Sequence, residues 1–154
     1  MTGSAEPGRG DAILNAVGGF LAGYGFVVFF CFIGIERHWA GTAPTVPDLS
    51  LGAIFRHDDH GDITYFTAFQ ATSCALLFET SIPLAMIGAL IARKKNVKSR
   101  SGFLWWRAAF YPDDPNHIFK WAFALGALAA PAMVFLLGPS LVQWLIAHGL
   151  AQRF

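Results

Sequence analysis

Two groups of residues in this chain have types and spacings that could do chemistry. The first centres on Glu79, the one charge in an otherwise uncharged run over residues 63–92. A carboxylate at the middle of a hydrocarbon layer costs roughly 3 kcal/mol or more unless it faces protein or water. Pro83, four residues later, has no N–H to return to the Glu79 carbonyl, so a kink with a free carbonyl is expected beside the acid. Thr80 and Ser81 flank it, and Thr72 stands two turns earlier on the same helical face. Such a cluster suits a proton or cation stop in an oligomeric transporter. It equally suits a protonated glutamate bonded to a neighbouring helix, as polar groups in lipid commonly are. A transporter usually needs more than one buried ionisable group, and the chain offers no second one at that depth, which favours assembly over ion handling.

The second group is histidine. His38, His57, His60 and His148 all fall at or beyond the ends of apolar runs on one side of the expected membrane. His57-Asp58-Asp59-His60 has the H-x-x-H spacing that lets two imidazoles share a metal if the segment is helical, with His38 or His148 closing the site. Two of these histidines as axial ligands of a haem, or flanking a quinone, are further options. Against them, histidine is an ordinary residue at a water boundary, and no spacing here matches an established ligand motif such as HExxH. His117 lies on the other side, where it helps begin the third apolar run.

Three long apolar runs must position these residues. Residues 13–35 are uncharged throughout, 63–92 carry only Glu79, and 118–147 start with Lys120 and Trp121 and end with Trp144 before His148. Each exceeds the ~20 residues that cross ~30 Å of hydrocarbon. The expectation is an all-α membrane protein with three transmembrane helices, a single integral membrane domain over 1–154. The first run is read as a permanent anchor rather than a cleaved signal, being longer than a normal h-region and having no clean small-x-small site after it. Asp62 is the expected N-cap of the second helix.

Orientation follows from the basic residues. Arg93, Lys94, Lys95, Lys98, Arg100, Arg107 and Lys120 lie in or beside the connector 93–117, against Arg37 and Arg56 in the loop 36–62. Positive charge stays inside, so the connector and the tail 1–12 are expected in the cytoplasm, with the first loop and the C-terminus in the periplasm of a bacterial inner membrane. Between the basic run and the third span, Phe103, Trp105, Trp106, Phe110 and Tyr111 are too aromatic for a free loop. A short interfacial helix over 102–111 is expected, with Trp105, Trp106 and Arg107 gripping lipid or a neighbouring subunit.

Gly19 and Gly23 form a GxxxG ridge for close helix approach, its partner being a span of this chain, a second copy or another subunit. Pro131 and Pro139 should free the carbonyls of Ala127 and Phe135 and bend the third helix. Cys31 and Cys74 fall inside spans and are expected to pack as apolar groups.

Composition excludes several classes. With 55% hydrophobic and 14% charged residues, the chain is too apolar for disorder or for an ordinary soluble domain. A net charge of +1 gives no basic face for nucleic acid. No Cys-x-x-Cys, phosphate loop, or nucleophile with a matching base appears, so an enzyme is not expected. The leading expectation is a small accessory subunit of a larger membrane assembly, in contact with other subunits, lipid or further copies of itself. The fifteen Phe exceed what three helices can hide among themselves. The alternatives are a membrane anchor of a respiratory or photosynthetic electron-transfer complex, with haem, a transition metal or quinone near the outward face, and an oligomeric ion transporter built round Glu79.

Overall fold

A computed structural model describes residues 9–93 and 117–150. Three helices are long and apolar enough to cross a membrane: Gly10–Ala40, Ala68–Ile91 and His117–Ala147. In chain order the elements are α1 (Arg9–Ala40), β1 (Ala53–Asp59), β2 (Asp62–Thr67), α2 (Ala68–Arg93), α3 (His117–Ala132), a π-helical turn (Met133–Leu137) and α4 (Gly138–Ala147). The all-α membrane architecture holds, with a small two-stranded sheet added to it. The expected interfacial helix 102–111, with Trp105, Trp106 and Arg107, lies outside the described residues, as does nearly all of the connector 93–117.

Two boundaries differ from the sequence reading. The first helix runs past its uncharged stretch at both ends, so residues 36–40, expected in the loop, form its last turns, with Arg37 and His38 at the end where cations suit the helix dipole. Residues 63–67, expected as the start of the second span, are strand instead, and Asp62 begins that strand rather than capping a helix. The segment Asp62–Thr67 reads Asp-Ile-Thr-Tyr-Phe-Thr, rich in the β-branched and aromatic side chains that suit a pleated surface. It pairs antiparallel with β1, with His57 opposite Thr64 and Asp59 opposite Asp62. The two-residue turn between them, His60-Gly61, has positive φ at both positions (54° and 102°), as the turn matching strand twist requires. The α2 helix then starts on a reciprocal cap. The Thr67 N–H donates to Gln70 Oε1 at 2.9 Å and the Gln70 N–H donates to Thr67 Oγ1 at 3.3 Å.

Pro131 sits within α3 and Pro139 in the first turn of α4, with the π turn between them. There the Gly138 N–H reaches back five residues to the Met133 carbonyl. Pro139 has no N–H to continue that register, so the wide turn ends and an ordinary helix restarts. α4 finishes in a Schellman arrangement: Gly149 is at φ 68°, its N–H donates to Ile146 O at 3.1 Å, and the Leu150 N–H donates to Leu145 O at 2.9 Å.

The chain divides into two compact units, Met1–Phe26 with Ile82–Ala129, and Val27–Ser81 with Ala130–Phe154. In the first, glycines bring backbones together. A Cβ on Gly19 or Gly23 would strike the carbonyl oxygen of Phe119 or Phe123, one on Gly126 the carbonyl of Phe20, and one on Gly88 the backbone of Gly18 and Ala22. The GxxxG ridge of α1 therefore packs against α3 of the same chain. Phe123 closes the seam, its ring 6.1 Å from that of Phe26. In the second unit, Val28, Phe66, Ser81, Ala130 and Val142 are 2% exposed or less, and the Phe32 and Phe78 rings lie 5.3 Å apart.

Candidate functional site

Glu79 is the twelfth residue of the 24-residue span Ala68–Ile91, hence at its middle, and its side chain is exposed on the surface of the chain. Thr72, at the same angular position two turns earlier, is 4% exposed. The expected polar face is thus divided: Thr72 is covered by its own chain and Glu79 is not. The hydroxyls around the acid turn back on their helix, Thr80 donating to Leu76 O at 2.6 Å and Ser81 to Phe78 O at 2.9 Å. They satisfy themselves locally and leave Glu79 as the outward-presented polar group among exposed Phe78 and Ile82. α2 continues unbroken through Pro83.

The histidines separate rather than converge. His57, in β1, stacks on Phe66 with centroids 4.3 Å apart and an interplanar angle of 12°. Its Nε2–H donates to Glu36 Oε1 at 2.7 Å, the two side chains being 25% and 12% exposed. This pair ties the hairpin to the end of α1. His60 occupies the hairpin turn with a side chain 99% exposed, so the i,i+3 pair on a helix face does not form: the segment is a strand and a turn, which sends the two imidazoles apart. His148 caps α4. Its Nδ1 lies 2.8 Å from Trp144 O, which only accepts, so Nδ1 carries the proton, and its ring stacks on Trp144 at 4.3 Å. Among the described residues no three His, Cys, Asp or Glu side chains come together as a metal site needs.

His38 is different. It lines an apolar cavity of about 500 Å³ in the second unit, together with Cys31, Trp39, Phe69, Ser73, Phe135 and Pro139. The Trp39 and Phe69 rings meet edge to face 6.1 Å apart. The Ser73 hydroxyl is spent on Phe69 O at 2.7 Å, leaving the lining almost wholly apolar with an imidazole at the end of the span. A cavity of this size and character accepts the apolar body of an amphiphile. A smaller cavity, about 260 Å³, lies among Phe32, His57, Phe66, Cys74 and Phe78.

Glu36 was not singled out by sequence reasoning. The available signal was an acid in the last turns of a helix, where the dipole disfavours it and a cationic or donating partner is called for. The loop before β1 also has more structure than its sequence announces. Asp48 and Ala53 exchange two backbone hydrogen bonds, 2.9 and 2.8 Å. Asp48 Oδ1 accepts from the Ser50 N–H, the Ser50 hydroxyl and the Leu51 N–H at 2.9, 2.6 and 3.2 Å. These bonds, the Ser50 hydroxyl foremost, hold the Asp48 carboxyl below the ordinary value of 3.8. No protein-family model, curated protein or solved structure matches the chain.

Proposed function

We propose that this protein is an accessory subunit of a larger integral membrane assembly, held there by contacts on the outer faces of its spans. The observation that carries this is Glu79, a carboxylate exposed at the centre of a span. Whatever it engages within its own chain, a carboxylate in that position lies against hydrocarbon unless a neighbour covers it. Burial favours the same conclusion. Only 11% of the most apolar stretch of the second span and 17% of that of the third are buried against the rest of the chain. Glu79 then acts as a polar contact to a helix of another subunit, or of a second copy. The Lys and Arg bias favours an inner-membrane setting with the basic connector in the cytoplasm.

The test is the size of the complex in mild detergent. Wild type runs larger than a single chain, Glu79→Gln retains the complex through its amide, and Glu79→Leu loses it. A wild-type chain that is alone in native membranes, with no adduct from a photo-cross-linker at position 78, overturns the proposal.

The cavity beside His38 favours a second reading, a membrane anchor of an electron-transfer complex with a quinone near the outward face. Quinone co-purifying with wild type and lost in His38→Leu supports it; its absence from wild-type lipid extracts refutes it.

A further inference from the structure

The third span contains a carbonyl that its own helix leaves without a donor. In the π turn Met133–Leu137 the Gly138 N–H is given to Met133 O, five residues back. The next donor in that register would come from residue 139, and Pro139 has no N–H. The Val134 carbonyl, which Gly138 or residue 139 would otherwise serve, is therefore unserved. An ordinary α-helical register would leave Phe135 O in that position, the expectation from sequence. The wider turn moves it by one residue, because Phe135 stands five before Ser140, which has an N–H to give. In a bilayer an unpaired carbonyl is costly, and such groups persist where a neighbour or a ligand supplies the bond.

Val134 is 9% exposed and lines the large cavity, with Phe135 and Pro139 beside it and His38, Trp39 and Phe69 contributed by α1 and α2. From Cys31 to His38 the cavity follows α1 for about 10 Å at the helical rise per residue, within the depth of the span, so its occupant comes from the membrane phase. An acyl chain would fill the volume but has nothing to donate. A quinone ring carries carbonyl oxygens, which only accept. A quinol has the same apolar body with O–H donors in their place, and the aromatic rings of the lining offer its flat face offset stacking partners.

We infer that this cavity binds the reduced, hydroxyl-bearing form of a membrane quinone in preference to the oxidised form, with one quinol hydroxyl donating to the Val134 carbonyl. The inference deepens the quinone reading above and rests on it. Neither His38 nor Trp39 distinguishes the two forms. A neutral imidazole donates or accepts as required, and an indole N–H donates to a hydroxyl oxygen as well as to a carbonyl. The Val134 carbonyl does distinguish them, because a quinone oxygen beside it is repelled where a hydroxyl bonds.

The experiment uses the protein purified in mild detergent from its native membranes. Equilibrium dialysis under nitrogen measures binding of a short-tailed benzoquinol, the matching benzoquinone and the dimethyl ether of the quinol. Wild type is expected to bind the quinol about tenfold more tightly than the quinone or the ether, the difference made by one further hydrogen bond in an apolar site. Pro139→Ala gives residue 139 an N–H for the Val134 carbonyl and is expected to bring the three affinities together. Pro131→Ala, at the other proline of the span and outside the cavity lining, is expected to keep the quinol preference. Circular dichroism and thermal unfolding check that both variants are folded, and the comparison of quinol with ether in wild type needs no variant. Equal affinity for quinol and quinone in wild type, as a water on the carbonyl would give, overturns the inference, as does a preference unchanged in folded Pro139→Ala. Binding of both forms alike leaves the quinone reading standing, whereas a wild-type protein that binds neither removes that reading and this inference together.

Discussion

Replacing single glycines by alanine separates backbone contact from open surface within this one chain. At Gly126 an added methyl meets the Phe20 carbonyl oxygen and the Tyr24 backbone, and at Gly23 it meets the carbonyl, carbonyl carbon and Cα of Phe123. None of these is the far end of a flexible side chain, so relief requires α1 and α3 to move apart. Overpacking of this kind costs about 1–3 kcal/mol. Gly34, also in α1, has nothing within 4 Å of the same methyl, so Gly34→Ala gains the helix preference of alanine over glycine, about 0.5–1 kcal/mol. That preference applies equally at Gly126, which is also inside a helix, so the expected separation between Gly126→Ala and Gly34→Ala is the overpacking cost alone, about 1–3 kcal/mol. Reversible unfolding in bicelles, followed by tryptophan fluorescence or by steric trapping, measures it directly. Gly34 lines the large cavity, so its variant also tests the proposed quinone reading: if a quinone occupies that cavity, less of it co-purifies with Gly34→Ala than with wild type. If Gly23→Ala and Gly126→Ala are tolerated as well as Gly34→Ala, the glycine seam does not hold the spans at the distance described, and close backbone approach is not what orders this unit.

Glu36→Leu or His57→Ala removes one side of a mostly buried bond and is expected to cost about 1–3 kcal/mol, with proteolysis of the hairpin increased; protection from protease equal to wild type in both variants would rule out a tether at that point. Thr67→Ala removes the cap of α2 and should cost about 1 kcal/mol, read from chemical unfolding, whereas Thr42→Ala, whose hydroxyl only returns to the carbonyls of His38 and Trp39, should change little. Because the folded Asp48 carboxyl titrates below its ordinary value, its contribution is present above pH 3.8 and is lost as pH falls through the lower folded value; a titration by NMR placing Asp48 at or above 3.8 would contradict the turn geometry.

The apolar runs were legible because a membrane span needs only length and the absence of charge, and both are properties of the chain in one dimension. The hairpin was half legible. The β-branched and aromatic residues of Asp62–Thr67 were present, but they adjoin an apolar stretch, and periodicity over so short a run does not distinguish a strand from the start of a helix. The His-Gly turn lacks the common Asn-Gly or Asp-Gly signature, so its positive φ values gave no warning.

For the candidate sites the difference lies in partners rather than residues. Glu79, the glycines and the histidines were recognisable by type, and the middle depth of Glu79 followed from counting along its span. Whether a position is covered could not follow from counting. Thr72 and Glu79 occupy one angular position on α2, yet one is enclosed and the other faces outward, because enclosure depends on which other segments pack at each level. His57 and His60 stand three apart in the chain and end with different neighbours, Glu36 for one and open solvent around the other, because a strand and a turn replaced the helix that would have aligned them. The sequence by itself determined that the protein is built of three spans and where its polar residues fall along them. Tertiary structure decided which polar residues face one another and which face out, since burial and hydrogen-bond partnership are set by contacts between segments distant along the chain.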